Sequence, residues 1–257
     1  MKRGLIAVSL VVAWLMLVGV LAGVGRSAVA APDAPARVSF TQTLILEPSR
    51  DNTLYESELG TISNGQGQHL FAGNTNNGDS RRAVLAFDLS VVPPLAEVVA
   101  ATLSLNMSKT TGGETPVALH ALARDWGEGA SDALGEEGGG ALAQANDATW
   151  LHTFFDGARW NQAGGDFDET PSAVTTVGGS GRYDWSTPAL ALDVQGWLDA
   201  PATSHGWIVI GNESADGTAK RFDSGENATA ANRPRLVITI ESEALRVFLP
   251  VVVADGN

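Results

Sequence analysis

Two tryptophans and three phenylalanines fall between positions 150 and 167, interleaved with acids and amides: Trp150, Phe154, Phe155, Asp156, Arg159, Trp160, Asn161, Gln162, Asp166 and Phe167. Sugars present C–H faces that stack on flat rings, while neighbouring carboxylates, amides and guanidinium groups bond the hydroxyls. The stretch is therefore a candidate glycan-binding loop. Trp160, Phe155 and Trp150 would be the platforms, and Asp156, Arg159 and Asp166 the hydrogen-bonding groups. The same residues have a second use, as a small core that pins a long crossing loop, since most aromatic residues of a chain this size are buried. Trp126, Trp185, Trp197 and Trp207 lie beside strand-like segments, where packing is their expected role.

Other groups offer less. Arg81, Arg82 and Arg221 have the planar fork that binds carboxylated ligands, or else they pair internally with Asp88, Asp223 or Glu226. Asn74-Thr75-Asn76-Asn77-Gly78-Asp79 has the oxygen-rich character of a calcium loop, with Asn74, Asn76 and Asp79 as candidate ligands. It lacks the leading acids and the distal Glu, which favours a plain polar turn. Asp166, Asp168 and Glu169 form a second such cluster. No cofactor is expected, and structural calcium is the one metal use these loops suggest. The four histidines (69, 120, 152 and 205) are scattered, Gly178-Gly179-Ser180-Gly181-Arg182 fails the G-x-S-x-G pattern at its last position, and pairs such as Glu128 with Asp166 arise in any acidic chain. An enzyme is not expected.

The elements that would position these groups are strands. Leu103, Leu105 and Met107 alternate with Thr102, Ser104 and Asn106, and Leu236, Ile238 and Ile240 alternate with Val237, Thr239 and Glu241. That period of two marks half-buried strands. Shorter candidates are Thr41–Glu47, Thr53–Ser57, Arg82–Asp88, Val117–Leu122, Ala189–Val194 and Trp207–Ile210, separated by turn signals such as Asn64-Gly65, Asn77-Gly78 and Pro93-Pro94. Asp193–Ala200 suggests one short helix, weakened by Gly196. Many short strands with frequent turns predict an all-β, antiparallel β-sandwich in a single domain. Residues 127–145 read as a Gly/Ala/Glu-rich loop or insertion.

The 257 residues contain no Cys, which excludes disulfides, thiolate metal sites and a Cys nucleophile. The net charge is −13 with no basic stripe, so nucleic acid and anionic membrane surfaces are excluded as expected partners. Met1-Lys2-Arg3, an uncharged apolar run over 4–25 and Ala28-Val29-Ala30 form the pattern of a secretory signal peptide over residues 1–30. An uncleaved anchor is the alternative, because the run is long enough to span ~30 Å of hydrocarbon. It is also the one expected membrane contact. Removing Lys2, Arg3 and Arg26 takes the net charge from −13 to −16. The expected organisation is a signal segment over 1–30, the sandwich over 31–241 and a tail over 242–257 carrying the apolar run Phe248-Leu249-Pro250-Val251-Val252-Val253.

Asp51-Asn52-Thr53-Leu54-Tyr55-Glu56 resembles the D-N-x-L-x-E motif of the DNRLRE-domain family, which is related to carbohydrate-binding module family 96. Further pieces follow in the family's order. Arg81–Ser90 is similar to its R-x-x-L-x-F-D-L-S strand and Ala101–Leu105 to its A-T-L-x-L strand. Trp126-Gly127-Glu128, Ala148-Thr149-Trp150 and Asp193–Leu198 are similar to its W-x-E, V-T-W and D-V-T-x-x-V-x-x-W segments. Phe222–Glu226 with Pro234-Arg235-Leu236 is similar to its F-x-S-x-E…P-x-L ending. Thr53 and Tyr55 depart from the two arginines of the family name. The resemblance spans residues 51–241. It implies a jelly-roll sandwich, secreted or at the cell surface, that serves polysaccharide-active or surface proteins as an accessory module without catalytic residues.

The expected function is thus an extracellular, non-catalytic, carbohydrate-binding module. The alternatives are a structural or adhesion domain without a sugar site and, behind it, a polysaccharide-degrading enzyme. The charge selects among glycans. At 0.01 M salt the Debye length is ~30 Å, so the acidic domain repels a polyanion, and a neutral glycan is the expected partner.

Overall fold

The alternating strand around Leu105 is the axis of the molecule. The computed structural model describes residues 37–245, so the signal segment over 1–30 and the apolar run over 248–253 lie outside the described residues. In chain order the strands are β1 (Arg37–Leu46), β2 (Arg50–Tyr55), β3 (Ile62–Ser63), β4 (His69–Asn74), β5 (Ser80–Ala86), β6 (Glu97–Thr110), β7 (Thr115–Ala121), β8 (Ala141–Leu142), β9 (Ala173–Val177), β10 (Gly181–Ser186), β11 (Trp207–Ile210), β12 (Lys220–Asp223) and β13 (Arg235–Leu245). One helix, α1 (Pro188–Asp199), lies between β10 and β11.

The strand pairings are antiparallel. β6 binds β13 along its first half, β12 along its second half and β10 along its other edge, and β1 closes the layer beyond β13. In the facing layer β5 pairs with β2 and β11, β11 with β7, and β7 with β9. β4 joins the layers, because Leu70–Ala72 pairs with β12 while Gly73 and Asn74 pair with β5. Gly73 has φ +105, a left-handed bend that a side chain resists. The chain is an all-β, antiparallel sandwich of jelly-roll type.

Between the layers lie Leu103, Leu105 and Met107 of β6 and Leu236, Ile238 and Ile240 of β13, none of them accessible to solvent. Val117, Leu119, Trp185, Trp207 and Phe222 complete this core. Full burial of each such side chain contributes ~1.5–3 kcal/mol.

Two expectations need correction. Ala189–Val194 is not a strand but the first half of α1. Thr187 caps the helix by accepting the Leu190 N–H at 3.1 Å, and Pro188 sits in the first turn, where its missing N–H costs nothing. Leu190, Ala191, Val194 and Trp197 are buried on one face, while Leu192, which a strand would bury with Leu190, is 71% exposed. The strand pattern also does not stop at Glu241, since β13 continues to Leu245 opposite Arg37 of β1.

Candidate functional site

The aromatic stretch folds inward. Trp150 and Trp160 pack with Leu54, Val84, Trp126 and Ile208 in a second core on the outer side of the β2–β5–β11 layer. The Trp160 indole N–H donates to the Thr149 carbonyl at 2.9 Å. Trp150 is covered by the Arg82 guanidinium, 4.9 Å from its ring centre. Phe155 is half-buried, edge-on to His152 at 5.2 Å. Asp156 and Arg159 are exposed. Asp166 accepts the Asn161 and Gln162 N–H groups at 2.8 and 2.9 Å and lies 3.4 Å from Arg124. The proposed platforms Trp150 and Trp160 and the proposed polar partners therefore do not share a surface. For Trp150 and Trp160 this corrects the platform assignment: their rings cover the outer face of the β2–β5–β11 layer, packed on Leu54, Val84 and Ile208, while Phe155 stays half-buried and Asp156 and Arg159 exposed.

The arginines are committed within the fold. Arg82 binds Glu213 through two bonds of 2.7 and 2.8 Å, Arg221 binds Glu136 at 2.7 Å, and Arg81 lies over Tyr55 and donates to the carbonyls of Ser80 and Gly138. The partners are thus Glu213 and Glu136, not Asp88, Asp223 or Glu226. The 74–79 loop closes on itself, with Thr75 N–H donating to the Asp79 carbonyl and Thr75 Oγ1 accepting from Asn77 and Asp79. Asn74 is buried and bonds Glu213, Thr218 and Ser80. Its neighbours Asn76 and Asp79 belong to this turn, and Asp166 and Asp168 each cap N–H groups of their own loops.

One open feature has the character of a binding site. A cleft of about 940 Å³ lies between the 88–96 turn and the C-terminal half of α1. Phe87, Val92, Trp197 and Leu198 line its apolar part, and Asp88, Ser90, Gln195, Asp199 and Ser204 supply polar groups. Trp197 is held from behind by Trp207, 4.5 Å between ring centres. Gln195 is fixed at both ends: its Oε1 accepts the Val98 N–H at 2.8 Å and its Nε2 donates to Asp199 at 3.0 Å. The Ser90 N–H bonds the Asp88 carboxylate at 2.9 Å, which holds that group below the usual Asp range. At the rim Leu95 is fully exposed and left-handed, with φ 66. A leucine there pays both a conformational and a solvation cost, a pattern that concentrates at ligand-contacting surfaces. Sequence reasoning missed this cleft. The Pro93-Pro94 turn signal was visible, but its packing against residues a hundred positions later was not.

A second constellation gathers acids from three of the singled-out segments. Asp51 on β2, Glu128 after Trp126 and Glu226 after β12 each place a carboxylate oxygen within 4.8 Å of the others. The Asp51 N–H donates to Glu128 Oε1 at 2.7 Å, and the Gly225 N–H donates to Asp51 Oδ2 at 2.7 Å. Asn52 Nδ2 holds the Glu128 carbonyl at 2.8 Å, while Asn52 Oδ1 accepts from Ser63 and Asn64. Close packing fixes the approach: a Cβ on Gly65 would stand 1.8 Å from the Glu128 carbonyl oxygen. Burial first, and then the neighbouring carboxylate charges, raise Asp51 well above its ordinary range; burial pushes Glu128 up to about 7 and also raises Glu226.

No family model matches the chain, and no curated protein matches it.

Proposed function

We propose that the chain is an extracellular or cell-surface, non-catalytic module that holds a neutral glycan in the cleft beside the 88–96 turn. The observation that carries this is the cleft itself. Its volume of about 940 Å³ lies within the ~300–1,000 Å³ usual for ligand sites, and its apolar lining is joined by a few fixed polar groups. Pro94, Leu95 and Leu198 offer apolar surface above the buried Phe87 and Trp197, while Asp88, Asp199 and Gln195 offer acceptors and donors to hydroxyls. The resemblance to the DNRLRE-domain family and the signal-like segment over 1–30 support the location and the accessory role. The arginines that would attract an acidic polymer are bonded to Glu213 and Glu136, which supports a neutral ligand.

Screening the purified chain against neutral and acidic glycans tests the proposal. Binding to a neutral glycan is expected, nearly independent of salt and weakened at least tenfold by Asp199→Asn. Tight, salt-sensitive binding to a uronate polymer, abolished by Arg82→Ala, would overturn it. Binding to no glycan favours the structural or adhesion role, and release of reducing sugar from a bound glycan favours an enzyme.

A further inference from the structure

We propose that β1 is a self-association edge, through which two copies of the chain join their sheets antiparallel about a two-fold axis at Gln42. The surface is separate from the cleft assigned to a glycan. β1 ends the strand order, and β13 is its one strand partner among the described residues. In an antiparallel pair alternate residues point their N–H and C=O groups away from the neighbour, so β1, ten residues long, presents a row of donors and acceptors along its far edge. Soluble sheets protect such an edge by shortness, charge, proline or a bulge. The strand at the other end of the order, β9, is five residues long, and its Thr175 hydroxyl bonds the Asp184 carbonyl of β10. β1 has twice that length, no proline or glycine, one charged residue at its first position and an unbroken register against β13.

Its sequence fits a second copy of itself. Arg37-Val38-Ser39-Phe40-Thr41-Gln42-Thr43-Leu44-Ile45-Leu46-Glu47 is nearly palindromic in chemical character about Gln42. Antiparallel pairing about that centre sets Thr41 opposite Thr43 of the second copy, Phe40 opposite Leu44, Val38 opposite Leu46 and Arg37 opposite Glu47; only Ser39 opposite Ile45 is unlike. Directly opposed side chains of an antiparallel pair share a face, with Cβ atoms ~4.5–5.5 Å apart. A two-fold axis perpendicular to the sheet keeps the core faces of both copies on one side, and each unlike pair then occurs twice. Leu44 and Leu46 pack against the main core, and Phe40 shares their face. Phe40 is nevertheless 45% exposed, because it pairs with Ser242, beyond Glu241, where β6 stops pairing with β13. Leu44 of the second copy covers it. The charges at the two ends are complementary, and Glu47 has its side chain 52% exposed beside Arg233, open to a further cation.

The experiment is sedimentation equilibrium of the purified full-length chain at physiological salt, where repulsion between two acidic copies is screened beyond ~8 Å. Single-cysteine variants probe the register, because the chain contains no Cys and a disulfide-linked dimer reports only the introduced residue. A concentration-dependent dimer is expected, and Phe40→Lys is expected to weaken it at least tenfold. Under mild oxidation Gln42→Cys is expected to crosslink, since the axis brings that position against its own counterpart. Ser39→Cys is not, since its counterpart lies roughly 20 Å along the strand. A chain that stays monomeric at every concentration overturns the proposal. So does a dimer that Phe40→Lys leaves unweakened, or one that Ser39→Cys crosslinks and Gln42→Cys does not. Should Phe40→Lys fail to fold, the wild-type sedimentation and the two cysteine variants decide the question.

Discussion

The aromatic loop over 150–167 and the cleft beneath the 88–96 turn bury their large rings alike and differ in the apolar residues left around them. In the loop, Trp150 and Trp160 are turned inward, and the Trp160 N–H is satisfied by the loop's own backbone. At the cleft, Pro94 and Leu95 stand exposed, above the equally buried Phe87 and Trp197. A dense aromatic run in the sequence thus marked a loop that packs onto the outer face of the sheet. The open apolar surface arose instead where the apolar turn Val92-Pro93-Pro94-Leu95 meets the end of α1, far along the chain. Density of aromatic residues along a chain reports how much cover a segment needs, while availability to a ligand depends on what else is packed nearby.

The largest effect that tests this contrast is in the loop. Trp160→Ala removes an indole from the second core and is expected to cost ~3–5 kcal/mol in denaturant unfolding. A soluble variant with an unchanged midpoint and lost glycan binding would reverse the assignment and return the site to the loop. A smaller effect is expected at Arg82, which ties the loop to the sheet through Glu213 and the Trp150 face. Arg82→Ala is expected to cost ~1.5–3 kcal/mol, the range of hydrogen bonds to charged groups, and to leave neutral-glycan affinity unaltered. A double-mutant cycle with Glu213→Ala checks that the loss is the pair, through a coupling energy of ~1 kcal/mol or more. The smallest effect is at the rim of the cleft. Leu95→Gly relieves the left-handed backbone and is expected to raise stability by up to ~1 kcal/mol. Affinity for the glycan is expected to fall together with that gain. A gain in stability with full affinity would sharpen the comparison by removing Leu95 from the binding surface.

Glu128 and Glu226 sit in irregular segments, as the aromatic loop does, yet they are held by long-range bonds from Asp51, Asn52 and Gly225. The insertion over 127–145 is similarly pinned. Asp147 accepts from Ser131 and Gln144, and Glu137 accepts from Asn64, Gln68 and His69. Irregular backbone here is built on buried polar groups that repay their desolvation only when every partner is present.

By itself the sequence determined what depends on neighbours one or two positions away. The alternation around Leu105 and Ile238 placed the sheets and their core faces, because strand side chains alternate strictly and a one-residue slip would expose every one of them. It also carried the helix cap at Thr187-Pro188, although the apolar alternation of the following residues obscured it. Only the tertiary structure decided that Trp160 turns inward, which acid each arginine pairs with, and that Asp51, Glu128 and Glu226 meet. Those outcomes depend on strand order and on contacts between residues 77 or more positions apart, and no local pattern encodes which distant groups the closing of a curled sheet will bring within reach.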